Sequence, residues 1–141
     1  MRHKRENLKK CSLRGLESRK DLCFLTYPLS KLPNLDNYCI LTLDAPILSR
    51  EDAERGLFLI DGTWRYAQTM SKIIPITGGH VYRSLPKDLR TAYPRRQPDC
   101  PDPSRGLASI EALYAAYSLL GRSTDGILDN YYWRDPFLTQ F

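Results

Sequence analysis

The residue types that could do chemistry are concentrated at Asp61-Gly62-Thr63-Trp64. A carboxylate, a glycine and a large aromatic follow directly on the apolar run Gly56-Leu57-Phe58-Leu59-Ile60. That run has strand length, and Thr63 can cap a helix starting at Trp64. Ligands of open α/β sheets bind where strands end and helices begin, so Asp61 and Trp64 are site candidates. The same residues also fit an ordinary strand–turn–helix, with Asp61 as a cap and Trp64 in the core. A second candidate position is the start of the most regular helix pattern, where Ser109 lies near the first turn and Glu111 within it. An acid there is favoured by the helix macrodipole. Residues 94–106, rich in Pro, Arg, Asp and Ser, read as a long irregular loop, a feature more often functional or disordered than neutral.

These positions need a frame, and the pattern supplies one. Residues 21–27, 38–43, 56–60 and 80–83 read as strands, with a fifth strand possible in a loop. Ser49 can cap a short helix over 50–55, with Asp52 in the acid position of a capping box. Ala67, Met70, Ile73 and Ile74 give near-helical spacing that stops before Pro75. Residues 88–93 suggest a short helix or turn. Over 107–121 the apolar residues Leu107, Ile110, Leu113, Tyr114, Tyr117 and Leu120 recur at helical spacing, and Gly121 is a natural stop. Residues 125–132 and 136–141 read as terminal helices. Alternating strands and helices imply an α/β fold with a mostly parallel sheet flanked by helices.

The 141 residues fit a single domain spanning 1–141, with a basic N-terminal segment of about 1–20 included. Met1-Arg2-His3-Lys4-Arg5 and Lys9-Lys10 read either as a solvated, partly disordered tail or as an arm that contacts phosphates. Apolar runs of only a few residues exclude a membrane span, and the charged start lacks a signal-peptide core, so a cytoplasmic location is expected. The four cysteines form no C-x-x-C pair and the two histidines lie near no cysteine cluster. Free thiols and no metal are therefore expected. A net charge of +5 invites a polyanionic partner such as RNA.

Six stretches, in order along nearly the whole chain, resemble one family. Lys9-Lys10-Cys11-Ser12 is similar to the start of the ribosome-biogenesis aminocarboxypropyltransferases, which modify small-subunit ribosomal RNA. Asp44-Ala45-Pro46-Ile47-Leu48-Ser49 resembles their strand-end proline loop. Ile60-Asp61-Gly62-Thr63-Trp64 resembles their Asp-x-Ser/Thr-Trp signature, which the related DTW-domain tRNA enzymes share. Arg83-Ser84-Leu85-Pro86 resembles Arg-x-Leu-Pro, and Leu107-Ala108-Ser109-Ile110-Glu111-Ala112-Leu113 resembles the Leu-Ser-x-x-Glu-Ala helix start. Residues 133–138 resemble the closing Trp-Gly-x-x-Phe-Leu, with Arg134 where Gly is usual. One departure concerns the RNA. The family's Ala-Asn-Pro-x-Asn-Tyr-Gly is replaced by Thr91-Ala92-Tyr93-Pro94-Arg95-Arg96-Gln97-Pro98, closer to the tRNA-modifying DTW group.

The resemblance implies a SPOUT-like fold with a C-terminal trefoil knot. It also implies S-adenosylmethionine (SAM) as cofactor and transfer of its 3-amino-3-carboxypropyl group to a uridine-type base. Small-subunit rRNA is the first expectation. A tRNA uridine, methyl transfer to RNA, and a non-catalytic RNA-binding assembly factor are the alternatives. Carried onto this chain, Asp61 would accept or orient the proton leaving the ring nitrogen. Trp64 would form a flat wall for the donor, or else pack in the core. Leu43, Pro46, Leu85, Leu107 and Ala108 would build the pocket, with Ser12, Ser109 and Glu111 as polar contacts; for Ser12 a helix cap is the reading ahead of donor contact. Arg83, Arg90, Arg95, Arg96 and Arg105 would grip RNA phosphates, and Tyr93 would stack on a splayed base. No membrane partner is expected, and a monomer is favoured over oligomers.

Overall fold

A computed structural model describes residues 1–94 and 106–141. The apolar stretches pair as parallel strands: β3 (Tyr38–Leu41) lies between β4 (Gly56–Phe58) and β5 (Val81–Arg83). Cys39 is in register with Leu57 on one side and Val81 on the other, and Ile40 with Phe58 and Tyr82. Because side chains alternate across a strand, neighbours on β3 serve opposite faces. Ile40 packs with Leu35, Phe58 and Ile74, while Cys39 packs with Leu48, Ala116 and Leu120. Both faces of this short sheet are therefore covered, as parallel strands require.

The fifth strand comes from the segment expected to be a tail or an arm. β1 (Arg2–His3) pairs in parallel with β2 (Thr26–Tyr27) on one side. On its other side it meets the chain beyond β4: Met1 N donates to Leu59 O at 2.7 Å, Asp61 N to Met1 O at 2.7 Å, and His3 N to Asp61 O at 3.1 Å. The start of the chain thus joins two strand pairs. Basic side chains hid this strand, since neither Arg2 nor His3 carries a strand signature. Of the expected strand over 21–27, only Thr26–Tyr27 pairs, because only that end has a partner in β1.

Helix α1 (Trp64–Ser71) begins at the Thr63 cap, whose hydroxyl accepts from Tyr66 N at 3.4 Å. Helix α2 (Ser109–Leu120) ends at Gly121, whose φ of 72° is accessible at little cost only to glycine. Its buried face joins Ile110, Leu113 and Tyr117 to Leu13, Leu16, Ile127, Leu128 and Phe137. The short 3-10 helix Arg50–Asp52 carries the expected box: Ser49 Oγ accepts from Glu51 N, and Ser49 N donates to Asp52. Helix α3 is Arg134–Leu138, starting two residues earlier than expected. Residues 125–130 form turns rather than a helix, with Gly126 at a φ of 78°. No helix forms over 88–93 either, where Arg90 N and O are both held by the Gln140 side chain.

Ile40 sits at the centre of the sheet and is 1% exposed. Ile40→Ala should lower stability by about 2–5 kcal/mol, measured by urea denaturation, because the flanking strands restrict collapse into the gap.

Candidate functional site

The carboxyl ends of β3, β4 and β5 open on a cavity of about 310 Å³. One wall is the chain from Leu59 through Gly62 to Trp64, Ala67 and Gln68. The opposite wall is Leu85, Pro86 and Leu89 beyond β5, and α2 closes it with Leu107, Ser109 and Ala112. Thr42 and Leu43 line it at the end of β3. The lining is mostly apolar, with Thr42, Gln68, Ser71, Tyr82 and Ser109 as polar points and no charged side chain among the described residues. This lies within the size and character of small-molecule sites, at the strand edge where open α/β sheets bind ligands.

The structure brings Leu43, Trp64, Leu85, Leu107 and Ser109 together on this cavity. Trp64, Leu85, Leu107 and Ser109 come from three of the motifs read in the sequence, and Leu43 directly precedes a fourth. Asp61 stands directly behind Ser109, whose hydroxyl donates to Asp61 Oδ1 at 2.7 Å. Asp61 itself is 5% exposed and does not line the cavity. Its other oxygen accepts from Arg2 Nε at 3.3 Å and from Cys11 Sγ at 3.2 Å. Asp61 thus supports a wall residue and does not face the ligand space directly. Arg2 was missed by sequence reasoning: nothing in a run of N-terminal cations marks one of them as the partner of an acid at 61.

Burial, with the Asp61 charge adding to it, pushes the Cys11 thiol up to about 11. Cys11, Glu6 and Asp61 place potential ligand atoms within 4.8 Å of one another. The Arg2 guanidinium contacts both Cys11 and Asp61, so these three residues form an ion-pair junction.

Four expected pocket residues do other work. Ser12 Oγ accepts from Ile110 N at 3.2 Å, so it caps α2 from 98 positions away. Glu111 is fully buried: it accepts from Ala92 N and Ala108 N, both at 2.8 Å, and from Tyr131 Oη at 2.9 Å. It therefore holds three segments together behind the cavity wall. Ala108 is buried in the core beside α2. Pro46 is exposed, and its carbonyl accepts from Ser84 N in the parallel bridge that continues the sheet past β5.

The expected RNA-gripping arginines are also redistributed. Arg83 Nε donates to both oxygens of Asp52, at 3.2 and 3.0 Å, and Nη1 donates to Tyr82 O. Arg90 Nη1 folds back onto the carbonyls of Lys87 and Leu89. Tyr93 packs part-buried against the core around α2. Arg95, Arg96 and Arg105 lie outside the described residues.

His3 is a further unanticipated element. Its ring stacks on Tyr66 with centroids 3.9 Å apart and planes 7° from parallel, and its Nδ1 accepts from Arg5 N at 3.0 Å. Accepting at Nδ1 requires the neutral ring. Burial, reinforced by Arg5 and Lys4, lowers its pKa. The unfolded chain then binds more protons than the folded one just below the ordinary imidazole value of about 6.5, so this contribution is present above that pH and lost as pH falls through the window beneath it. His3→Gln should flatten the dependence of melting temperature on pH between about 7 and 5. Glu111→Ala should cost about 3 kcal/mol or more in denaturant melts, since three buried donors lose their acceptor together.

No protein-family model and no curated protein matches the chain. Among solved structures it resembles the SAM-dependent rRNA:acp-transferase Tsr3 from Vulcanisaeta distributa, with a TM-score of 0.71 and 24% sequence identity, over 99% of this chain and 74% of that one. The chain has the fold of that protein.

Proposed function

We propose that the cavity at the carboxyl ends of β3, β4 and β5 binds SAM, and that the chain transfers the 3-amino-3-carboxypropyl group to a uridine-type base of small-subunit rRNA. The observation that carries this reading is the convergence of Leu43, Trp64, Leu85, Leu107 and Ser109 on one cavity. All but Leu43, which directly precedes one, belong to the aminocarboxypropyltransferase-like motifs, in a fold shared with a SAM-dependent rRNA:acp-transferase. A cytoplasmic site of action, a SPOUT-like knotted topology and membership of the rRNA aminocarboxypropyltransferase family belong to the same reading. No helix among the described residues is long and apolar enough to cross a membrane.

The residues present fit the donor. The apolar lining suits an adenosine, and Thr42, Gln68 and Ser109 supply polar points for the rest of the donor. Bound SAM supplies a sulfonium that activates each of its attached carbons. The protein's task is then positional. Trp64 offers a broad apolar wall from the first turn of α1. Ser109 donates its hydrogen to Asp61, which leaves the hydroxyl oxygen free to accept a hydrogen bond from the ring N–H of an incoming base. The proton of that base would pass to solvent as the new carbon–nitrogen bond forms and the donor's carbon–sulfur bond breaks. Asp61, clamped by Arg2, fixes the direction of that hydroxyl. Asp61 is accordingly a positioning residue, while Ser109 and Trp64 touch the reactants.

Calorimetry with SAM should show binding that weakens about tenfold or more in Trp64→Ala, in proportion to the contact area lost. Mass spectrometry of RNA after incubation with SAM should show the aminocarboxypropyl increment on small-subunit rRNA. A methyl increment, or modification of tRNA alone, would replace the proposed reaction or substrate. Ser109→Ala should reduce kcat about tenfold to a thousandfold with little change in SAM affinity. Asp61→Asn should lower kcat less than Ser109→Ala does, because its amide oxygen can still accept from Ser109. Equal losses would assign Asp61 a direct role.

A further inference from the structure

We propose that residues 4–10 form a preorganised loop on the cavity rim that holds the phosphate backbone of the RNA. The inference rests on the RNA partner proposed above and assigns its contact surface to a segment other than the arginines of the resembled motifs.

Both ends of this loop are fastened to residues that adjoin the cavity walls. At its entry, His3 N donates to Asp61 O and the His3 ring lies on Tyr66, two residues beyond Trp64 on α1. At its exit, Cys11 donates to Asp61, and Ser12 caps Ile110 beside Ser109. Gly62 and Trp64 line one side of the cavity and Ser109 another, and the loop's two ends are anchored beside them, with His3 next to Gly62 and Ser12 bonded to Ile110. Its interior is ordered by its own backbone. Arg5 N donates to His3 Nδ1, Glu6 N to His3 O, Lys9 N to Asn7 Oδ1 and Lys10 N to Asn7 O, each at 3.0 Å.

On this fixed frame Lys4, Arg5, Lys9 and Lys10 are all exposed, and none forms an ion pair among the described residues. Arg65, exposed at the second position of α1, adds a cation from the adjoining wall. The loop's acid is the half-buried Glu6. Four like charges held on one short, ordered loop repel one another, and a polyanion relieves that cost. Phosphate contacts fix orientation without reading sequence. That is the requirement for presenting one base of a looped RNA to a cavity alongside. The contrast with Arg2, Arg83, Arg90 and Arg122 is direct, since their guanidinium groups are engaged by carboxylates or carbonyls of the protein.

The test is the variant K4A/R5A/K9A/K10A, which leaves every backbone donor of the loop in place. Its affinity for a fluorescein-labelled RNA hairpin with uridines in the loop would be followed by anisotropy at several salt concentrations. SAM affinity of the same protein would be measured by calorimetry. The expected result is RNA binding about tenfold or more weaker, with the slope of log K against log salt shallower by about 0.7–0.9 per lost phosphate contact. SAM affinity should be unchanged. The variant K4R/K9R/K10R, which keeps the charge, should bind RNA as the parent does. RNA affinity and salt slope equal to the parent's in the alanine variant would overturn the proposal, as would loss of SAM binding along with RNA binding, or weakened RNA binding in the arginine variant. The result is separable from the catalytic reading. Loop-dependent RNA binding without aminocarboxypropyl transfer would sustain the loop and sink the reaction; transfer with RNA binding indifferent to the loop would do the reverse.

Discussion

A carboxylate removed from water persists as an anion only where other groups replace its hydration. At Asp61 that replacement comes from Arg2 and Cys11, at the two ends of the N-terminal loop, and from Ser109 at the start of α2. The backbone of the same residue pairs with Met1 and His3. One residue therefore joins the N-terminal strand, the loop that follows it, the end of β4 and the first turn of α2. Removing Arg2 would leave a buried charge without its counterion, a far larger perturbation than loss of a surface ion pair. The cavity inherits its shape from this junction, because Ser109 and Gly62 stand on either side of it.

Behind the wall a second buried acid plays a similar part. Glu111 collects hydrogen bonds from Ala92, Ala108 and Tyr131, and so ties the segment beyond β5 and the C-terminal turns to the start of α2. Ala108 cannot cap the helix with its own side chain. The hydroxyl of Ser12 and the carboxylate of Glu111 divide that task. The site is thus an apolar hollow whose polar support lies one layer out. This is an economical way to present a hydroxyl without exposing a full charge to the ligand space.

Much of the frame was legible in the sequence because it depends on periodicity. The apolar runs at 38–41 and 56–58, the spacing in α2, the Gly121 stop and the Ser49–Asp52 box are local signals, and the fold uses them as read. The cavity lining by Leu43, Trp64, Leu85, Leu107 and Ser109 followed from where motifs fall relative to strand ends. What escaped was non-local. Arg2 and His3 have no strand pattern, and their partners lie near residues 26 and 60. A charge count cannot tell an arginine bound to a carboxylate from one facing water, so Arg83 looked like a ligand contact when it serves Asp52. Glu111 belongs to the right motif but its carboxylate points into the core, and Pro46 belongs to another but is exposed, with its carbonyl bonded to Ser84.

The cap that Ser12 places on Ile110 spans 98 positions, and the strands join in parallel across long crossovers. Contacts so remote in sequence close slowly, because the entropy of bringing them together precedes any reward. Residues 1–3 can pair with Thr26–Tyr27 on one side, but their other side stays open until the stretch near residue 60 is in place. The helix start that completes the hollow must wait longer still. The strand at residues 2–3, which needs partners from near both 26 and 61, is therefore among the last parts of the fold to be completed.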